Sequence, residues 1–223
     1  MHFLFRVTAA FFVIGMPALA ASKPHVITFG KWMVVKAPAG FEQSRSDDLK
    51  VRPVYVDSRL KEFTVGLSHE VTEQLFVVRR MVRMNDTLPQ ETASTPRWSW
   101  QSGGWLLIDR VTGHISQVSL PEFDSDSSSA TWYRDYVAYC GVSDDGRKLT
   151  AIVMQLGRRK PVLKKSLGET AGDDSAAAEC APPGWQRAPT RVSFVSKAGQ
   201  KLTFAVRGHT VEVVNDDPEE GTE

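Results

Sequence analysis

Four histidines that could do acid–base or metal chemistry stand past residue 20, at His25, His69, His114 and His209, all far apart in sequence. His69-Glu70 opens like a zinc helix but has no second histidine at the spacing that pattern requires, so Glu70 reads as a solvated side chain. The chain has no strained Gly-x-Ser-x-Gly elbow to present a nucleophile. It also lacks a Gly-x-Gly-x-x-Gly turn or a Gly-Lys-Ser/Thr loop to cradle phosphates. A Ser/His/Asp set is defined by geometry rather than by spacing, and the sequence selects none. Asp124-Ser-Asp126-Ser-Ser alternates oxygen ligands as a calcium loop does. It lacks the glycine of the sharp turn, and its twelfth position is Asp135, where a bidentate glutamate belongs. We read it as a flexible polar loop, and we expect no metal and no cofactor. Asn85-Asp-Thr87 fits a glycosylation acceptor.

Binding chemistry is better represented. Trp98 and Trp100 alternate, so as strand residues they share a face, and Trp132-Tyr133 follows the serine-rich loop. Tryptophan on a sheet packs in a core or stacks on a ligand, and these four residues are the candidate binding set. Arg158-Arg-Lys160 with Lys164-Lys165 is the strongest positive run, read as an exposed hairpin flanking Pro161-Val-Leu163 or as a dock for an anionic partner. Formal charge is +1, from 27 Lys and Arg against 26 Asp and Glu. Without Arg6 the balance is 26 against 26, and a neutral chain argues against a nucleic-acid binder.

Residues 1–20 carry the parts of an export signal. Arg6 supplies the positive segment, Val7 to Met16 the apolar stretch, and Pro17-Ala-Leu-Ala20 a small-residue cleavage site. That stretch falls short of the roughly 20 apolar residues a membrane span needs. We expect cleavage after Ala20, no lipid anchor, no span in the mature chain, and a periplasmic or secreted location. In an oxidising compartment Cys140 and Cys180 are expected to pair. Closing that loop stabilises by about 3–4 kcal/mol in the chain-entropy view.

The elements that must position these residues are strands. Hydrophobic content of 42% supports a core. Short runs rich in Val, Ile, Thr, Phe and Tyr alternate with period two, as at Val51–Asp57, Trp105–Asp109, His114–Leu120 and Asp135–Val142. Turn chemistry sits between them at Val111-Thr-Gly113, Asp144-Asp-Gly146 and Lys197-Ala-Gly199. Ser68–Asn85 also fits a helix, with Val71, Leu75, Val78 and Val82 on one face. The β-branched pair in Phe76-Val-Val78 and an internal similarity favour a strand over Gln74–Met84. That similarity relates Val54–Asp57 to Leu106–Asp109, and Phe76–Asp86 to Val137–Gly146. The chain therefore reads as all-β, an antiparallel meander of about three four-stranded units over 51–101, 103–157 and 160–215. Each unit resembles a β-propeller blade; an irregular sandwich or barrel accounts for the same strands. Residues 21–215 form one β-rich domain, and 216–223 a disordered acidic tail.

These features suggest a non-enzymatic exported domain that binds a protein or a cell-envelope component. The alternative is an exported hydrolase whose catalytic groups meet from separate loops, with a His beside a Ser or carboxylate in a concave pocket. A homo-oligomer that completes its sheets with a second copy is a further expectation.

Overall fold

The computed structural model describes residues 24–37, 48–87, 96–125, 128–143, 147–169, 181–195, 201–208 and 210–214. Residues 1–20, expected to be an export signal, lie outside the described residues, as do Cys180, His209 and the acidic tail. Every described element is a strand, all ladders are antiparallel, and no sheet closes into a barrel. Among the described residues no helix is long and apolar enough to cross a membrane.

Three sheets follow one another along the chain. The first contains β1 (Ile27–Phe29), β2 (Met33–Lys36), β3 (Asp48–Val56), β4 (Arg59–Glu70), β5 (Leu75–Asn85), β6 (Trp98–Asp109) and β7 (Ile115–Val118), in the order β1-β3-β4-β5-β6-β7 with β2 also on β3. The second is a meander of β8 (Ala130–Tyr133), β9 (Tyr136–Val142), β10 (Lys148–Gln155) and β11 (Leu163–Glu169). The third joins β12 (Gly184–Gln186), β13 (Arg191–Val195), β14 (Lys201–Arg207) and β15 (Thr210–Val214).

An antiparallel meander of blade-like sheets is as expected, but the first sheet has seven strands instead of four and the borders fall elsewhere. Ser102-Gly103-Gly104 does not separate two units. It lies inside the single strand β6, where the ladder to β5 shifts register opposite Arg80. A Cβ on Gly103 would stand 2.9 Å from Arg80 Cβ, so glycine marks a close approach rather than a turn. Likewise β11, with Lys164 and Lys165, completes the second sheet rather than opening the third.

Pleat alternation explains the packing. In β9, Tyr136, Ala138 and Cys140 join Val192, Phe194 and Phe204 of the third sheet in one core. Val137 and Tyr139 turn the other way and pack with Val77 and Trp105 of the first. The second sheet is thus the middle layer, covered on both faces, so β9 is apolar throughout instead of alternating. The same logic settles Ser68–Asn85. Phe76 and Val78 face one core and Val77 another, all at most 1% exposed, which a strand between two apolar layers allows and a one-faced helix does not.

The first sheet also curls on itself. Val54, Phe76, Val78, Leu106 and Ile108 share one face and gather Ile27 and Ile115 from its opposite edges. The curl brings the β6–β7 turn onto the segment before β1, where a Cβ on Gly113 (φ +65°) would meet His25 and, on β3, Val56 at 2.9 Å. Asp57 and Ser58, with φ of 50° and 64°, make the two-residue turn that matches strand twist between β3 and β4.

Candidate functional site

The four candidate binding residues are not gathered at one place. Trp98 is 51% exposed at the far end of the β5–β6 hairpin, with the Arg83 guanidinium 4.3 Å over its ring. Trp100 is half-buried, edge-on to Phe63 at 5.0 Å. Trp132 and Tyr133 are neighbours on β8 and point to opposite faces. The Trp132 ring meets Trp105 edge-on at 5.3 Å and stacks on His69 at 6.0 Å, joining the second sheet to the first. Tyr133 stacks on Trp185 at 5.5 Å, joining the second sheet to the third. Trp185 Nε1–H donates to the Thr131 carbonyl at 3.2 Å.

The three described histidines do not assemble a catalytic set. His25 Nδ1 lies 2.6 Å from Asp57 Oδ2, and that pair is exposed, with side chains 43% and 49% accessible. Hydrogen bonds from His25 and from the Val26 N–H hold the Asp57 carboxyl below its usual range. His69 Nε2 sits 2.8 Å from the Arg134 carbonyl. His114 lines a cleft with Glu62, whose carboxylate accepts from Arg80 Nε at 2.8 Å. Among the described residues no group of His, Cys, Asp and Glu is placed to hold a metal ion.

The serine-rich loop, expected to be flexible and polar, is tied down in its described part. Ser128 and Ser129 are buried. Ser128 Oγ–H donates to the Cys140 carbonyl at 2.8 Å, and Ser128 N–H to the Asp124 carbonyl at 2.9 Å. Beneath them Arg79, 5% exposed, donates to the Ser125 carbonyl and lies 5.1 Å from the Phe123 ring. A guanidinium offers five donors, enough to serve several backbone oxygens and hold such a loop on the sheet.

The concave features cluster instead around β7, which sequence reading recognised as a strand but not as a site. Among the described strands it pairs with β6 alone and ends the first sheet. Three clefts meet there, and Gln117 lines all of them. One, of about 210 Å³, lies between the first and second sheets and is walled by Leu107, Val118, Leu120, Val137, Met154 and Leu156. Exposed Arg158 also borders it. The next, about 290 Å³, is polar, with Trp105, Gln117, Ser119, Phe123 and Ser125 around it. The third, about 400 Å³, opens on the opposite face of the strand beside Lys61, Glu62, Arg80 and His114.

Two buried indole N–H groups, Trp105 Nε1 and Trp132 Nε1, have no hydrogen-bond partner among the described residues. Leaving such a donor unsatisfied costs on the order of 1–3 kcal/mol. Trp105 lines the polar cleft, and its indole nitrogen is itself buried. No sequence signal marks this place, because Gln117, Ser119 and Leu120 are ordinary strand and loop residues until the sheet edge and the neighbouring sheet surround them.

No protein-family model matches this chain, and searches of curated proteins and of solved structures find no match.

Proposed function

We propose that the mature chain is an exported, non-enzymatic domain that binds a protein partner of the periplasm, cell envelope or exterior. The observation that carries this reading is the convergence of three clefts on Gln117 at the open edge of the first sheet. Ligand pockets are concave and mostly apolar with a few placed polar groups, and the junction of the first two sheets has that character.

Export and the disulfide belong to the same reading. Cleavage after Ala20 removes the apolar segment and leaves a chain of zero formal charge. Cys140 is 3% exposed on the face of the second sheet that meets the third. Thr131 Oγ1–H donates to the Pro183 carbonyl at 2.8 Å, which pins the chain three residues after Cys180 to the neighbouring strand. N-terminal sequencing of the exported protein should begin at Ala21, and peptide mapping without reduction should join the two cysteines.

Site-specific photo-crosslinking in the producing cell tests the binding. A benzophenone side chain at position 117 should give an adduct that the same group at exposed Lys201, on the third sheet, does not. No adduct at 117, or the same adduct from both positions, refutes the assignment.

A further inference from the structure

The backbone of β7 describes the form its ligand takes. Asp109 N–H donates to the His114 carbonyl at 3.0 Å, which sets the phase of the β6–β7 ladder. In an antiparallel pair, successive residues turn their N–H and C=O alternately toward the partner and away from it. Ser116 and Val118, paired with Leu107 and Trp105, share the inward phase. Ile115 and Gln117 then point their backbone groups outward, along an edge that no described strand covers.

A strand laid on that edge places its side chains alternately on the two faces. The register puts Ser116 and Val118 on the face of the apolar pocket and the polar cleft. It puts Ile115 and Gln117 on the face of the third cleft. Consecutive residues of an added strand would thus meet different clefts in alternation.

The charge of the lining narrows the ligand further. Arg158 borders the apolar pocket, with exposed Arg159 and Lys160 next to it in the chain. Lys61, Arg80 and His114 border the cleft opposite, and the carboxylate there, Glu62, already accepts from Arg80. Cationic walls favour a segment that carries carboxylates.

Resting on the binding reading above, we infer that β7 takes an extended peptide segment of another protein as an added strand. A leucine- or phenylalanine-sized side chain fills the apolar pocket and carboxylates flank it. Main-chain hydrogen bonds supply affinity in this mode, and pockets for alternate side chains supply selection.

Fluorescence anisotropy with the mature domain tests this, using labelled hexapeptides that carry one leucine flanked by glutamates. Lysine in place of the glutamates should weaken binding by about tenfold or more. N-methylation of alternate residues should do the same in one register and have little effect in the other, because only every second N–H of an added strand faces β7. Gln117→Pro removes an outward N–H from an edge strand, where proline is tolerated, and should abolish binding while circular dichroism is unchanged. Should that variant fail to fold, Arg158→Glu, on an exposed side chain, should invert the preference for acidic over basic peptides. Binding that ignores N-methylation in both registers overturns strand addition, as does no binding by any acidic peptide at millimolar concentration. A crosslink at position 117 with no peptide binding would leave the binding reading standing and remove this one; no crosslink removes both.

Discussion

Replacing Tyr139 with phenylalanine should destabilise the protein at neutral pH and protect it at alkaline pH. Tyr139 is fully buried, and its hydroxyl donates to the Pro121 carbonyl at 2.7 Å. Its ring meets Phe123 edge-on at 5.4 Å. Phenylalanine keeps the ring contact and removes the hydrogen bond, which costs about 1 kcal/mol at pH 7. For a chain of this size that lowers the melting temperature by about 2–4 °C. Burial, and secondarily the charge of Glu122, pushes the phenol well above its usual value of 10.0. Above pH 10 the unfolded chain therefore gives up a proton that the folded chain keeps. The folded state binds more protons, so stability falls as pH rises, by up to about 1.4 kcal/mol per unit for this group. This contribution is fully present below pH 10 and is lost as pH climbs toward the raised folded value. The variant lacks the group and escapes the loss, so the two stability curves should cross near pH ~11. Tyr55, Tyr133 and Tyr136 are common to both proteins and cancel in the difference. Urea unfolding of the two proteins at pH 7, 9, 10 and 11 reads the comparison directly. A stability difference that stays constant from pH 7 to pH 11 would refute the buried hydroxyl and the reasoning built on it.

Two further outcomes concern the first sheet. Gly30→Ala should destabilise by about 1–3 kcal/mol by overpacking, because the new Cβ would stand 2.5 Å from Pro53 Cγ; combining it with Pro53→Ala should cost less than the sum of the single changes in a denaturation cycle. Asp57→Asn should lower the melting temperature above pH 4 and make no difference at lower pH, since a depressed carboxyl stabilises above its unfolded value of 3.8 and stops doing so as pH falls through the folded one; a difference that persists at pH 2 removes the His25–Asp57 pairing as its cause.

Period-two patterning carried the fold class because pleat alternation is a local property of the chain. The same locality explains why Ser68–Asn85 looked ambiguous. Its helical stripe of Val71, Leu75, Val78 and Val82 coexists with the run Phe76-Val-Val78, and only the presence of two flanking cores makes that run a strand. The border placed near residue 102 fell inside β6, where glycine at 103 serves a close approach to Arg80 and not a turn. The tryptophans were visible as residues but not as partners. Trp98 and Trp100 alternate as expected, yet one is exposed and the other rests on Phe63, a contact made across two ladders. The β7 site was illegible because its walls come from 61–80, 104–125 and 137–158, segments that only the sheet packing brings together.

Open sheet edges invite pairing with other chains, and proteins blunt them in recognisable ways. At one edge of the first sheet, the β1–β2 strand breaks at Gly30 opposite Pro53, a residue with no N–H to offer, and the Arg52 guanidinium lies between Phe29 and Trp32. In the second sheet, β11 carries exposed Lys164 and Lys165, while β8 is met by Pro183 and Trp185. The third sheet opens on β12, three residues long. Against that pattern β7 is guarded only by its length of four residues. It carries no proline, lysine or arginine, and clefts open on both its faces. A short edge pairs weakly with another bare edge, since few ladder bonds form. It pairs better with a segment whose side chains also fill the adjacent clefts, because burial then adds to the hydrogen bonds. The shortness that protects β7 from indiscriminate pairing is thus what lets side-chain fit decide which segment joins it.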